Sequence, residues 1–469
     1  MATDMVPNVL EQASDLRPGV GRCPGRSVQE VFRSDARPPS PILMSESYQF
    51  LGSQDIGFSR YYTPEFFQQE METVWPKVWQ WVCREEHIPE PGDSYVYEVG
   101  PYSIIAVRTE EGTIRAYHNS CLHRGTKFRP KEGTSHSAEL QCPYHGWTWS
   151  LNGELKRVTC AWDFAHVEPK QFRLPEVRVR LWGGFVFINM DEHAPALEEY
   201  LGVLPEHFTA WPMEDLYVDM HIAKEMPCNW KAAQEAFFEA YHVKETHPQA
   251  LVSVSDANAQ YDVYGDNVSR MLLAYGLSSP HLAPRTEQEI IDFMMIGDRS
   301  VVGGAKLKEG ETARSATAER TRRALAERYG SDFSSCSDAE AVDVIHYNLF
   351  PNMALVAGLQ LPLAYRFRPI GMDPNRSLYE MIWLRPVPAG SKRPEPAEVV
   401  RLTEEQSYCT VPGMDPSLGL VFDQDIDNLR RQQQGFRAAK KFGQTLGNYQ
   451  EVRARQFHRT LDKYVGCAD

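Results

Sequence analysis

Long apolar runs are missing from this chain. None approaches the ~20 residues needed to cross a bilayer, and 181-LWGGFVFINM-190, among the longest, reads as a buried strand. Cysteine is scarce and odd in number, nine residues scattered from Cys23 to Cys467. That excludes a disulfide scaffold, and in a reducing compartment such cysteines are more often metal ligands or nucleophiles. Positive charge is also in deficit: 49 Lys and Arg face 63 Asp and Glu, a formal charge of −14, which argues against nonspecific nucleic-acid binding. The N-terminus carries Asp4 and Glu11 and no apolar core, so no signal peptide is expected. There is no repeat and no flavin or nicotinamide fingerprint. A soluble, cytoplasmic protein with no nucleic-acid or membrane partner is the expectation.

What is present is an ordinary globular composition, 42% hydrophobic and 24% charged, in 469 residues, too many for one core. Residues 1–45, rich in Pro, Arg, Ser and Gly, read as a tail or a loosely docked arm. Residues 46–81 read as a helical segment, with 61-YYTPEFFQQEMETVWPKVWQWV-82 its helix, Thr63 its N-cap and Pro64 its first residue. The period then changes to two. 94-SYVYEVG-100, 102-YSIIAVR-108, 113-TIRAYHN-119 and 176-EVRVRLWGGFVFIN-189 read as strands, with a hairpin signal at Asn152-Gly153. These strands make residues 82–194 an all-β domain. The rest, 195–469, mixes helices (228–247, 417–440) with strands at 343–358, 363–371 and 377–387, and 285–330 reads as a polar helical excursion. The helix at 417–440 is expected to have an acidic N-terminal turn, as the helix dipole prefers.

The β domain carries 121-CLHRG-125 and 142-CPYHGW-147. Two Cys and two His could close a tetrahedral zinc site. Yet Cys-x-His is tighter than zinc-finger spacing, and each loop offers one thiolate and one imidazole. That pattern matches a Rieske [2Fe–2S] centre, with Cys121 and Cys142 on one iron and His123 and His145 on the other. Respiratory-chain Rieske proteins carry an extra cysteine in each loop; here those positions hold Thr126 and Tyr144.

In 228-CNWKAAQEAFFEAYHVKETHPQ-249, His242 and His247 stand five residues apart, about 500° on an ideal helix and so on divergent faces. Pro248 disfavours a helical His247, so the helix is expected to end near Thr246 and free His247 to swing towards His242. With a carboxylate they would form the 2-His-1-carboxylate triad of Fe(II) oxygenases. Glu235, Glu239 and His242 fall at i, i+4 and i+7, on one face of that helix.

Together, the Cys121/His123 and Cys142/His145 loops and the run Asn229-Trp-Lys…Glu235…Tyr241-His242-x4-His247 resemble the Rieske non-heme iron oxygenases, the α subunits of aromatic-ring-hydroxylating dioxygenases. The resemblance covers about residues 60–440, leaving out 1–45 and 285–330. It implies an α+β fold: an N-terminal all-β Rieske module and a C-terminal helix-grip (START-like) catalytic domain with an antiparallel sheet. It places the third iron ligand at Asp425 of 422-FDQDIDNLRRQQ-433, with Asp427 the runner-up and Asp423 a third candidate. The family's aspartate three before the first histidine is here Glu239, expected to bridge His242 to His145 of the neighbouring subunit. Glu235 is then expected near Tyr144 across the same interface, and Asn229 enters the site by the same match.

The resemblance further implies electrons from a separate reductase or ferredoxin, O2 as co-substrate and a head-to-tail homotrimer, with a β subunit left open. The reaction expected is hydroxylation, dihydroxylation or dealkylation of a hydrophobic small molecule, aromatic or polycyclic, in a pocket built from strands 343–387 with Phe237 and Phe238. The alternative is a Rieske electron-transfer protein whose C-terminal domain only binds partners. The basic loop 124-RGTKFRPK-131 is a candidate docking patch for an acidic donor.

Overall fold

The computed structural model describes residues 17–23, 25–294, 306–359 and 361–466. Helix α1 spans Val28–Ser34 and α2 Pro64–Thr73. In α2 the Thr63 side chain accepts from Phe66 N and Pro64 takes the first turn, as its sequence demands. The helix stops well short of residue 82. Pro76 disfavours helix at Trp75, and Gln80–Arg84 instead forms a fully buried strand, β1.

β1 belongs to the N-terminal domain, with β2 (Asp93–Val99), β3 (Tyr102–Arg108), β4 (Ile114–His118), β5 (Gly133–His136), β6 (Leu140–Gln141), β7 (Thr148–Trp149), β8 (Leu155–Arg157), β9 (Glu176–Trp182) and β10 (Phe185–Asn189). Seven of them form an antiparallel sheet in the order β1-β10-β9-β4-β3-β2-β5, and β6-β7-β8 form a separate small sheet. The hairpin between β7 and β8 holds Gly153 at φ 79°, while Asn152 stays out of the left-handed region. Between the small sheet and the large one lies a shared core in which Trp147, Trp149, Phe128 and Leu151 pack with Val96, Ile105, Val107 and Tyr117.

The second domain is an eight-stranded sheet of β11 (Leu216–Met226), β12 (Gln260–Tyr264), β13 (Val268–Leu273), β14 (Val344–Leu349), β15 (Met353–Ala357), β16 (Leu363–Pro369), β17 (Ser377–Pro386) and β18 (Val399–Leu402). The order is β12-β13-β14-β15-β16-β17-β11-β18, antiparallel except for the β11–β18 pair. Among its helices are α3 (Trp230–Glu235), α4 (Val243–Thr246), α5 (Ala313–Tyr329), α6 (Pro416–Ala438) and α7 (Val452–Val465). Helix α6 begins at Pro416 behind an Asp415 cap, so Asp423, Asp425 and Asp427 sit mid-helix and its first turn carries no acid.

From Val28 onward the N-terminal arm is docked rather than loose. Val28, Val31 and Phe32 are buried, a helical i, i+3, i+4 stripe that the Pro- and Arg-rich composition masks, and Leu43 beyond the helix is buried with them. Gln29 Nε2 donates to Leu43 O and Gln260 Oε1, and Asp35 pairs with Arg314 of α5 at 2.6 Å. Of the 285–330 excursion, Glu287–Met294 and α5 are helical and 295–305 lies outside the described residues.

The two domains are joined by buried charge. Glu380 on β17 accepts from Arg366 on β16 at 2.8 Å and stands 2.8 Å from His221 Nε2 on β11, with Arg368 at 3.4 Å. Arg366 also donates to Trp81 O and Val82 O of β1, and Arg368 to Glu98 O of β2 and to Glu132. Burial alone would raise the Glu380 pKa, but Arg366, then His221 and Arg368, outweigh it and hold the carboxyl well below its ordinary range. Removing one member of a buried charge network strands the others without solvent. Glu380→Gln is therefore expected to lower unfolding stability by about 3 kcal/mol in chemical denaturation; an unchanged midpoint would show that the cluster does not hold the domains.

Candidate active site

The two Cys-His loops have one backbone design. Cys121 N donates to Thr126 O and Gly125 N to Cys121 O; Cys142 N donates to Trp147 O and Gly146 N to Cys142 O. Both turns close on a left-handed glycine, Gly125 at φ 78° and Gly146 at φ 70°. The matched turns bury both thiols and bring the His123 and His145 rings to 4.6 Å between centroids. His123 stacks on Trp147, and its buried Nδ1 has no hydrogen-bond partner. Burial first, then the adjacent Cys142, pushes the Cys121 thiol up to about 11.

A single tetrahedral ion needs its donors within roughly 4 Å of one another. Among the described residues, no three donors from Cys121, His123, Cys142 and His145 lie within 4.8 Å, which disfavours zinc and suits a larger two-iron cluster. An orphaned imidazole nitrogen and two clustered thiols are the donor set such a cluster takes.

The second centre does meet that distance: His242, His247 and Asp425 bring one donor atom each within 4.8 Å. Its local fold departs from one continuous helix. α3 ends at Glu235, and the one-turn α4 follows His242. Side chains satisfy the interruption, since Ala240 N donates to Tyr261 OH and His242 N to Glu239 Oε2. Glu235 and Glu239 therefore do not share a helical face. His242 and His247 flank α4, with His247 non-helical at φ −124° before Pro248, and their rings converge to 5.3 Å.

Asp425 Oδ1 lies 3.0 Å from His247 Nε2 and 3.7 Å from His242 Nε2. The far nitrogens are held from outside, His242 Nδ1 by Glu239 Oε1 at 2.7 Å and His247 Nδ1 by Gln424 Oε1 at 2.9 Å. Such partners fix the ring orientation and leave both Nε2 atoms facing Asp425, the arrangement a 2-His-1-carboxylate iron requires. Burial acts to lower the His242 pKa, but Glu239 and then Asp425 outweigh it and raise it to about 9. Asp423 is spent on Ser407 and Tyr408 N, and Asp427 lies outside the cluster.

Two cavities meet at these ligands. One of about 180 Å³ is apolar, walled by Phe237, Met271, Leu273, Val356, Leu363 and Phe422. Its sheet wall follows the period of two: Met271 pairs with His346, Leu273 with Val344, and His346 with Val356. The other, about 300 Å³, is polar and acidic, with Glu235, Glu239, Gln444 and Glu451. Phe237 lines the first as expected; Phe238 does not, turning away to pack on Phe457 and Arg453. Asn229 lies outside both, capping α3 through Lys231 N. Glu235 accepts from Tyr61 and is bonded to His458, both at 2.8 Å. Tyr144 is 57% exposed, against the His145 ring.

Residues 212–466, more than half of the chain, match the family model described as ring hydroxylating alpha subunit (catalytic domain). The chain belongs to that family. Residues 78–168 match the Rieske [2Fe–2S] domain, so the two models together imply a Rieske cluster and a mononuclear iron. The catalytic match encloses the 285–330 excursion. Relatives include the glycine betaine monooxygenase oxygenase subunit of Pseudomonas aeruginosa (strain UCBPP-PA14), 30% identical over 43% of this chain and 47% of that protein. The large oxygenase component of the naphthalene 1,2-dioxygenase system of Pseudomonas aeruginosa is 33% identical over 40% and 43%. The chain thus spans about half the length of the curated relatives it matches. In fold it is similar to a quaternary ammonium Rieske monooxygenase in complex with L-carnitine, with TM-score 0.61 and 16% identity over 90% of this chain and 99% of that one. No described helix is long and apolar enough to cross a membrane.

Residues that sequence reading missed are the outer partners, Gln424, Tyr61 and His458. Gln424 precedes Asp425 in the same dipeptide; nothing local marks the others.

His242→Ala, His247→Ala and Asp425→Ala are expected to lose the mononuclear iron while keeping the red-brown cluster spectrum, and Cys121→Ser or Cys142→Ser to lose that spectrum. Metal analysis beside visible spectroscopy checks both; iron retained in Asp425→Ala but lost in Asp427→Ala would move the third ligand.

Proposed function

We propose that this chain is the oxygenase component of a Rieske system that hydroxylates, dihydroxylates or dealkylates a neutral hydrophobic molecule with O2 and electrons from a separate reductase or ferredoxin. The observation that carries it is the convergence of His242, His247 and Asp425 on an apolar cavity, in a chain that also bears the paired Cys-His loops. A binding domain without catalysis has no need of such a triad. Cys121, Cys142, His123 and His145 would hold the cluster, and His242, His247 and Asp425 the iron. Bound there, the cluster supplies electrons singly and the iron a site for O2.

The chain's own residues divide the remaining work. Glu239 and Gln424 lock the two imidazoles. The apolar walls exclude water and hold the substrate. The polar cavity, on the other side of the ligands, gives Glu239 an outward face, and Tyr241 beside it is 60% exposed. Tyr144 puts the edge of the cluster domain at the surface as well. These features support a head-to-tail trimer in which Glu239 receives a hydrogen bond from His145 of the partner subunit, with Glu235, fixed by Tyr61 and His458, beside Tyr144 of the partner subunit. In the basic loop Lys127 pairs with Glu98, which leaves exposed Arg124 and Lys131 as its outward charges toward a donor.

The cavity favours an apolar substrate. Cavities of about 150 Å³ accept benzene, so 180 Å³ suits one or two rings. Among the described residues, no Lys or Arg lines it to pair a carboxylate such as glycine betaine carries.

Oxygen-uptake assays of the reconstituted system are expected to respond to neutral bicyclic compounds and not to carnitine or glycine betaine; the reverse pattern would overturn the substrate reading. Glu239→Gln keeps the shape but accepts imidazole N–H groups less well. Single-turnover oxidation of its reduced cluster should slow strongly with iron and cluster intact, and a wild-type rate would mean electrons take another route.

A further inference from the structure

One polar feature of the apolar cavity is used by neither metal centre. His346 on β14 and Tyr365 on β16 both line it, and both are buried. Behind them, Arg453 of α7 donates from its guanidinium to His346 Nδ1 at 2.8 Å. A guanidinium has donors only. Nδ1 is therefore the acceptor nitrogen, and the ring proton sits on Nε2. Burial first, then the charge of Arg453, drives the His346 pKa well below its ordinary value, so the ring is neutral. Its Nε2–H donates to the Tyr365 hydroxyl oxygen.

That fixes the direction of the last proton. The Tyr365 hydroxyl is kept protonated by burial, and its oxygen already receives a hydrogen bond, so its own O–H must point elsewhere. Among the described residues it has no hydrogen-bond partner besides His346. A buried donor without an acceptor is costly, and the open volume beside it is the cavity. The relay is also anchored: Arg453 further donates to Phe238 O at 3.0 Å and Ser269 Oγ at 3.1 Å, so the chain from Arg453 through His346 to Tyr365 points one way. It presents a polarised donor to the cavity.

We infer that Tyr365 is a specificity-determining residue, donating a hydrogen bond to a neutral oxygen acceptor, a ketone or ether oxygen, on an otherwise hydrophobic substrate. The inference rests on the apolar cavity being the substrate site. Arg453, set behind the wall without a carboxylate partner among the described residues, favours an acceptor there over a cation.

The test compares 1-indanone, indane and phenyltrimethylammonium on the holoenzyme, by binding calorimetry and by the infrared carbonyl stretch of bound indanone. Indanone is expected to bind about tenfold more tightly than indane, the scale of one good hydrogen bond, with its carbonyl stretch moved to lower frequency. In Tyr365→Phe, checked by its denaturation midpoint, the binding ratio should fall to about one and the shift disappear. Should the variant not fold, the shift in the wild-type protein alone decides. Equal binding of indanone and indane with no carbonyl shift overturns the inference and leaves the apolar reading standing. Binding of phenyltrimethylammonium with neither neutral compound bound overturns both.

Discussion

The Glu380 carboxylate sits where water cannot compete for it, and two guanidinium groups and an imidazole converge on it from two neighbouring strands. Those guanidinium groups also donate to backbone carbonyls of the cluster domain, and Arg368 to the Glu132 carboxylate. The relation between the two domains is thus set by fixed hydrogen-bond geometry, and not by apolar contact alone, which would tolerate sliding. The site depends on this. In the proposed trimer the exposed edge at Tyr144 and the polar mouth at Glu239 would meet between copies of the chain only if each copy holds them at a constant angle.

Around the iron ligands the same economy recurs at smaller scale. Each imidazole is gripped at its far nitrogen, His242 by Glu239 three residues before it and His247 by Gln424, which stands next to Asp425 on α6. The interruption between α3 and α4 makes this possible. A continuous helix would have used the N–H groups of Ala240 and His242 on its own carbonyls, whereas here Tyr261 and Glu239 take them. Side chains thus replace two of the helical hydrogen bonds that the break gives up.

Much of this was legible in the sequence where chemistry and local spacing coincide. The Cys-His loops, Thr63 and Pro64 of α2, strands β2, β3, β4, β9 and β10 of the first sheet and β14 to β17 of the second, and the convergence of His242 with His247 before Pro248 follow from a few adjacent residues. In sequence β1 reads as helix, and β11, β12, β13 and β18 do not read as strands. What was not legible depends on distant partners. The single helix expected over 228–247 breaks because Tyr261, on another strand, competes for its backbone. The arm at 28–43 docks because a sheet and α5 wait for it. Phe238 and Asn229 look like site residues in the linear motif, and only the packing of α7 and the cap of α3 turn them elsewhere. His346, Tyr365 and Arg453 lie on three separate elements and share no motif at all.

The cavity wall and the metal ligands have separate addresses in the chain. Every donor of the proposed iron triad flanks α4 or lies on α6, while much of the wall consists of side chains at alternate positions of β13, β14, β15 and β16. Exchanging one of those strand residues leaves the ladder hydrogen bonds and the donor atoms untouched. Mutational drift can therefore reshape what enters the cavity without passing through an iron-free ancestor. A lineage built on this fold can change what its cavity admits in single steps and keep the three donor side chains throughout.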